Sequence, residues 1–572
     1  MTNQYPFKKM VLKITGSKGS ALEDARSRLQ IISYLIMLGF IIVGIRVFDL
    51  TTIQGQFAPK DANETVPLAR EVNRYAPMRS DIYDRNGVLL ATSLNTSSLF
   101  VDPARVVDPV VSAKALVEIL PSLTYEDVLK KMKGKGRFSW LKRNITPDEQ
   151  YKILHIGEPG FGFRQERRRM YPQGNLTSHI VGYTNVDGKG LAGIERSFNN
   201  HLSDGDGPLN TSLDVRVQHI VYRELSKAIK KFSGTGGAAI VLDITTGEVI
   251  AAVSLPDFDP HFPNAVDKEA TFNRLTLGVY ELGSTFKLFS TAAFLERNKG
   301  NIGYKFDARA PLQRYGFQIR DYRAKNQLFT AAEVFMYSSN IGSALMAENV
   351  GTDYLVNFYK DLGLLAAPKI AIDEVGRPII PKPWRDVHSL TASYGHGLAV
   401  SPLQLVSGAA SVLGGGLKVD PQFLRVDKQT KKSAEIRVLS PEISEKMRQL
   451  MRLVVTDGTA KSADVDGYAV GGKTGTAEQP GAGGYNRRKL ISSILSVFPA
   501  NDPKFIIYVM VQDPVGIKET YNYATGGWVA APVVKEIVTN LGPLLNIAPQ
   551  STSNENDYAA PLRKYIAQKP KG

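Results

Sequence analysis

Tyr280-Glu281-Leu282-Gly283-Ser284-Thr285-Phe286-Lys287 decides how this chain is read. A serine and a lysine stand three residues apart where an apolar helical pattern opens, Phe286-Lys287-Leu288-Phe289-Ser290-Thr291-Ala292-Ala293-Phe294-Leu295. Residues at i and i+3 share a helix face, so the lysine amine can reach the serine hydroxyl. A serine is a weak nucleophile until an adjacent base takes its proton. Lysine becomes that base when its pKa is depressed, and a helix N-terminus or a second cation pushes that way. The helix start also aims free backbone N–H groups at an oxyanion forming beside Ser284. Spacing alone does not single out this pair, because Ser139-Trp140-Leu141-Lys142 has it too. Partners elsewhere in the chain must decide.

Two such partners lie downstream. Ser338-Ser339-Asn340 follows an apolar helical pattern, Ala331 to Tyr337. Its hydroxyl could relay a proton and its amide could orient a carbonyl. The same triplet form recurs at Ser93-Leu94-Asn95 and Ser197-Phe198-Asn199, so alone it reads as a polar helix surface. Lys473-Thr474-Gly475-Thr476-Ala477 falls on a strand-like run. Alternation puts Lys473 and Gly475 on one face and Thr474 and Thr476 on the other. A cation here could bind a carboxylate and depress the pKa of Lys287. Gly475 would let another element approach closely. The N–H of Thr476 could join that of Ser284 in an oxyanion hole, and an extended peptide could add along this strand. Alone, the segment is a Gly-kinked edge strand.

The rest of the 572 residues bounds the setting. Such a length accommodates about two to four domains. Hydrophobic content of 43% and a mean hydropathy of −0.15 fit a mostly soluble fold. Cysteine is absent, which excludes disulfides, thiolate nucleophiles and cysteine metal sites. The seven histidines form no HExxH-like cluster, so no metal or other cofactor is expected. Net charge is +15, which reads as a basic surface beside anionic lipid. No aromatic-and-basic recognition motif supports nucleic-acid binding.

Leu29 to Ile45 is an uncharged apolar run between Arg28 and Arg46. It is somewhat short of the ~20 residues that span a bilayer, and Arg46 extends it by snorkelling towards Leu50. Residues 1–28 carry six Lys and Arg against Glu23 and Asp24, so the N-terminus is expected in the cytoplasm and the remainder outside. A cleaved signal peptide is the rival reading, and no Ala-x-Ala site follows the run.

Residues 51–76 read as a loose polar stretch. Asp84-Arg85-Asn86-Gly87 reads as a turn before the strand Val88 to Ala91, and Val215 to Lys231 has helical spacing. Ala238–Leu242 and Val249–Val253 flank a turn and predict a β-hairpin. Helical patterns run on to about residue 460. Tyr468–Glu478, Ile491–Phe498 and Lys504–Gln512 then read as strands, and Ala531–Leu541 as a helix. Two strands, many helices and three strands predict an antiparallel sheet built from both ends of one unit, with helices packed on it. From about 549 a polar, disordered tail is expected.

Ser284/Lys287, Ser338/Asn340 and Lys473-Thr474-Gly475, in that order, resemble the S-x-x-K, S-x-N and K-T-G set of penicillin-binding proteins and serine β-lactamases. Tyr280 to Lys287 resembles the class B penicillin-binding-protein form Y-E-P-G-S-T-x-K, with Leu282 in place of Pro. Ser393 to Gln404 resembles S-x-G-x-G-x-x-V-T-P-x-Q, with Ser401 in place of Thr, and Asn273-Arg274 matches the N-R ahead of the serine. Arg79 to Gly87, Arg169 to Gly174 and Gly190 to Glu195 resemble the pedestal motifs of the family. Tyr523 to Pro532 resembles the C-terminal Y-x-G-G-x-V-A-A-P of the FtsI type, which implies septal synthesis.

The resemblance implies an α+β transpeptidase domain, a five-stranded antiparallel sheet with helices on both sides. It also implies an elongated N-terminal pedestal and one transmembrane helix. The expected divisions are a cytoplasmic tail (1–28), an anchor (29–50), a pedestal of dimerisation type (51–233), a transpeptidase domain (234–548) and a tail (549–572), with no glycosyltransferase domain. The implied reaction is D,D-transpeptidation of peptidoglycan stem peptides ending in D-Ala-D-Ala, inhibited by β-lactams. Lys287 would take the proton of Ser284, and the N–H groups of Ser284 and Thr476 would hold the oxyanion. Ser338, helped by Lys473, would protonate the departing D-Ala. Asn340, Thr474, Gly475 and Thr476 would line the substrate. The implied partners are stem peptides and their lipid-linked precursor, the membrane, and a divisome glycosyltransferase with other division proteins. A lateral-wall transpeptidase, a catalytically silent divisome scaffold, a β-lactamase and a membrane β-lactam sensor are the alternatives. Arg167-Arg168-Arg169 reads as a lipid or partner patch, or as a solvated or pedestal-structural run, and His396 as a structural or a catalytic group.

Overall fold

The run that reads as an anchor is helical. α1 (Ala21–Phe48) contains a window, Arg28–Ile45, long and apolar enough to cross a membrane. It belongs to a unit of residues 1–76, apart from a second unit of residues 77–572. The computed structural model describes residues 21–48, 78–322, 324–426, 436–481, 484–550 and 557–566. The polar stretch 51–76 and most of the N-terminal tail lie outside them.

The second unit opens with a mixed sheet. β1 (Ile82–Tyr83), β2 (Leu89–Val101), β3 (Ser139–Ile145), β4 (Phe161–Met170) and β5 (Leu209–Asn210) form it, with β2 antiparallel to β1, β3 and β4, and β5 parallel to β1. The Asp84 turn is held by its own side chain, which accepts the N–H groups of Asn86 (2.7 Å) and Val88 (2.8 Å). Asp84 Oδ2 also accepts the N–H of Val215 (3.1 Å). That bond ties the turn to the start of α2 (Val215–Lys231), which Asp214 caps.

Three charged groups explain the other pedestal motifs. Glu195 is fully buried and takes Arg79 (2.6 Å) on one oxygen and Arg169 (2.7 Å) on the other. Arg79 also donates to the Glu195 carbonyl (2.7 Å). Of the two readings of the arginine run, the structure therefore gives Arg169 a structural role. The decoy Ser139 and Lys142 lie on β3, where i and i+3 point to opposite faces, and Lys142 pairs with Glu149 instead (2.9 Å).

The larger sheet contains β6 (Gly236–Asp243), β7 (Val249–Leu255), β8 (Gly471–Gly481), β9 (Gly484–Phe498) and β10 (Phe505–Gln512). Its order is β8-β9-β10-β6-β7, antiparallel throughout. Both ends of the unit supply it, as the strand pattern predicts. Every residue of β7, and all but the last of β6 and β10, is buried, so both faces are covered. The helices that cover it and carry the motifs are α3 (Lys287–Arg297), α4 (Ala331–Tyr337), α5 (Asn340–Val350), α6 (Pro402–Leu413), α7 (Pro441–Thr456) and α8 (Ala531–Leu544). α6 is wholly buried, and its polar side chains Gln404, Ser407 and Ser411 donate to backbone carbonyls. Ser401 and Gln404 form its capping box, which explains that stretch of the Ser393–Gln404 motif without catalysis.

Two expectations need correction. The stretch read as helical to residue 460 also holds four short strands, at 305–307, 312–314, 317–319 and 328–330, paired in two small ribbons. The tail read as disordered includes an ordered piece. Residues 557–566 contain a 3-10 helix (Ala560–Tyr565), with Ala559 and Leu562 buried in the main core. The polar composition hid two well-placed apolar residues.

Candidate active site

Ser284 stands in a tight 3-10 turn, Gly283–Phe286, that feeds α3. The turn requires Gly283, whose φ is +56°. It also requires close approach. A Cβ on Gly283 would lie 3.1 Å from the Thr476 carbonyl oxygen of β8, and one on Gly395 would overlap the Gly283 carbonyl oxygen. Gly475 meets the other side of the same turn: a Cβ there would lie 2.5 Å from Ser493 Oγ and 3.0 Å from the Leu282 carbonyl oxygen. The expectation that Gly475 admits another element is met by this geometry. This close approach brings the backbone of Thr476 against that of Gly283.

The structure brings the four expected catalytic side chains together. Lys287 and Lys473 are both fully buried. Lys287 Nζ lies 2.9 Å from Ser284 Oγ, 2.7 Å from the Ser338 carbonyl oxygen, 2.7 Å from Asn340 Oδ1 and 3.2 Å from Ser338 Oγ. The Ser338 carbonyl and Asn340 Oδ1 only accept, so each takes one N–H. A neutral amine then has its lone pair left for the Ser284 hydroxyl, which is the arrangement a general base needs. Asn340 Nδ2 donates to the Arg320 carbonyl (3.0 Å), which fixes the amide with its oxygen towards Lys287. Lys473 Nζ donates to Ser338 Oγ (2.8 Å), placing that hydroxyl between the two amines.

Burial pushes the Lys287 amine well below the ordinary lysine range; the nearby Lys473 adds to this, and Asp321 opposes it. Burial likewise pushes Lys473 down to about 7. The second cation expected from the sequence does contribute at Lys287, but desolvation is the larger cause.

Thr474 Oγ1 lies 2.7 Å from Thr459 Oγ1, and Thr476 Oγ1 accepts the Gly526 N–H (3.1 Å). That bond uses a lone pair of Thr476 Oγ1, so the hydroxyl proton can turn towards an incoming acceptor. Three contributions escaped sequence reasoning. Asp321 accepts from Ser339 Oγ (2.7 Å) and from the N–H groups of Asn340 (2.5 Å) and Ile341 (3.0 Å), anchoring the start of α5. Thr459 orients Thr474. Glu281 accepts the Tyr485 hydroxyl (2.8 Å) and the Gly397 N–H (3.0 Å), tying β9 and the Gly395–Gly397 loop to the Ser284 turn. Asp321 and Thr459 lie outside every motif, and Glu281, though inside the Tyr280–Lys287 motif, acts on residues far along the chain. His396 sits between the rings of Tyr394 and Tyr485, and burial holds its pKa below the usual histidine value. Among the described residues no group of His, Asp and Glu could hold a metal ion.

Comparison with known proteins gives this geometry a family. The penicillin binding protein transpeptidase domain matches residues 237–539, and the penicillin-binding protein dimerisation domain matches residues 74–234. A probable peptidoglycan D,D-transpeptidase FtsI of Caulobacter vibrioides is 36% identical over 482 residues, 82% of each chain. The peptidoglycan D,D-transpeptidase FtsI of Escherichia coli is 30% identical over 524 residues, covering 85% of this chain and 87% of that one. Among solved structures, penicillin binding protein 3 of Mycobacterium tuberculosis, complexed with aztreonam, superposes with a TM-score of 0.66. It is 22% identical and covers 83% of this chain and 98% of its own, a likeness of fold. With both domains matched and relatives of this identity along most of its length, the chain belongs to the class B penicillin-binding proteins, the peptidoglycan D,D-transpeptidases whose catalytic domain follows a dimerisation domain.

Proposed function

We propose that Ser284 is the acylated nucleophile and Lys287 the base that activates it. The observation that carries this is the set of oxygens around Lys287 Nζ, two of which take its N–H groups while Ser284 Oγ at 2.9 Å meets the lone pair. Ser284 attacks the penultimate D-Ala carbonyl of a stem peptide. The N–H groups of Ser284 and Thr476 receive the oxyanion. Ser338, held at 2.8 Å by Lys473, passes a proton to the departing D-Ala. Asn340 orients the peptide beside Gly475, while Thr474 and Thr476 bind its terminal carboxylate. An amine of a neighbouring stem peptide then attacks the acyl-enzyme: the C–N bond forms, the C–Oγ bond breaks, and Ser284 recovers its proton. Labelled penicillin marks the unaltered protein and not Ser284→Ala; equal labelling of both would sink the assignment.

The FtsI relatives and the Tyr523–Pro532 motif support action at the division septum, fed with lipid-linked precursor by a membrane glycosyltransferase and accompanied by other division proteins. The basic residues before α1 support a cytoplasmic N-terminus with the catalytic unit on the outer, periplasmic side. A fluorescent fusion gathers at midcell on this reading, and a dispersed lateral pattern would replace it with wall elongation.

A further inference from the structure

The C-terminal piece 557–566 does not touch the reacting groups, yet it touches both supports on which they stand. The first support is α4, which ends at Ser338. Its N-cap is Thr330, whose Oγ1 accepts the Glu333 N–H (3.2 Å) and donates to the Tyr565 carbonyl oxygen (2.8 Å). The hydroxyl has one proton, and its other acceptor, Glu333 Oε2, lies farther away at 3.2 Å. The Tyr565 carbonyl is therefore the better acceptor for it. The second support is the turn after α7. Asp457 there takes Arg563 (3.3 Å), and Thr459, two residues on, orients Thr474. Between them Gly458 is pressed against α4: a Cβ on it would lie 2.9 Å from the Met336 carbonyl oxygen, two residues before Ser338. The piece is seated rather than draped. Leu562 is 3% exposed and Ala559 0%, and the Tyr565 ring closes over Gly303.

We propose that Leu562, Arg563 and Tyr565 are positioning residues of the transpeptidase reaction, clamping α4 and the α7 turn so that Ser338 and Thr474 keep their places. The proposal rests on the reading of Ser338 and Thr474 as site residues. Labelling of the unaltered chain against Ser284→Ala tests that reading separately. Core packing alone would make these residues matter for stability and nothing else. A clamp makes them matter for rate, because displacements of about 1 Å at a reacting group cost up to ~10²-fold.

The test uses the full chain. Leu562→Glu drives the piece out of its seat, verified by loss of hydrogen-exchange protection over residues 557–566. The expected result is a fall of about tenfold in the rate constant of acylation by labelled penicillin. Synthetic peptide spanning residues 557–566, Asp557 to Ile566, added in trans restores it. Arg563→Ala removes the Asp457 contact together with the ion pair to Asp557 inside the piece, and lowers the rate two- to threefold, about the worth of exposed ion pairs. It remains informative should Leu562→Glu fail to fold. Two outcomes overturn the proposal. One is an unchanged acylation rate in a folded variant whose piece is released, or in folded Arg563→Ala. The other is a fall that only tracks the folded fraction and that the peptide does not restore.

Discussion

Two regions of this molecule bury strong bases, and they do so in opposite ways. In the pedestal, Arg79 and Arg169 share the carboxylate of Glu195, at 2.6 and 2.7 Å. In the catalytic unit, Lys287 and Lys473 share the hydroxyl of Ser338, at 3.2 and 2.8 Å, and among the described residues neither has an ion pair. Arginine keeps its charge in proteins, and the buried carboxylate offsets it. Lysine denied such a partner sheds its proton instead, which turns a buried cation into a neutral base. Burial is common to both regions; the counter-charge decides whether the result is a fastener or a catalyst.

The largest expected effect breaks the catalytic half of this comparison. Lys287→Met keeps the stem and removes the base, and acylation by penicillin falls by ~10²–10⁴-fold, read as the rate constant of covalent labelling. A fall of less than threefold would show that Lys287 is not the base. Next comes the pedestal half. Glu195→Gln leaves two buried arginines without their counter-charge and costs about 3–5 kcal/mol of stability, measured by thermal or denaturant unfolding. The acylation rate of the protein that remains folded is unchanged, since this cluster touches no reacting group.

A pH series sharpens the contrast. The Lys473 amine is pushed down to about 7 from an ordinary 10.5. Between those values the unfolded chain binds more protons than the folded one, so this lysine makes stability rise with pH from about 7 to 10.5 and withholds it below 7. Lys473→Met flattens that rise and stabilises the protein at pH 7 by about 1–2 kcal/mol while abolishing efficient turnover. A melting temperature with unaltered pH dependence in the variant would contradict the account. The smallest effect concerns aim rather than charge. Thr459→Val removes the partner of Thr474 (2.7 Å) and raises the KM for a peptide with a free C-terminal carboxylate by about three- to tenfold. Thr459→Ser retains most of the wild-type value.

Periodicity and motif order carried a good part of the architecture. Val215–Lys231 and Ala331–Tyr337 coincide with α2 and α4, and the two-then-three strand order forms one sheet. The weak points were short or composition-masked elements. The ribbons between residues 305 and 330 have three-residue strands, too short for period-two alternation to register. Residues 557–566 are a short, largely apolar stretch inside a polar tail whose overall composition masks them, and Leu562 and Ala559 seat them in the core.

By itself the sequence determined the chemistry on offer: Ser284 and Lys287 at helical spacing, Ser338 and Asn340 after a helix, and Lys473 on a strand with a glycine two residues on. It also determined the family, because that order of motifs runs from Ser284 to Gly475 with few substitutions. Only the tertiary structure decided how the lysines behave. A pKa depends on water excluded and charges gathered by residues far apart in the chain, and desolvation here outweighs the Lys473 charge that the sequence suggested. Tertiary packing likewise recruited Asp321, Thr459 and the C-terminal piece. Their roles consist of hydrogen bonds and ion pairs between separate elements, and no local pattern of residues encodes such contacts.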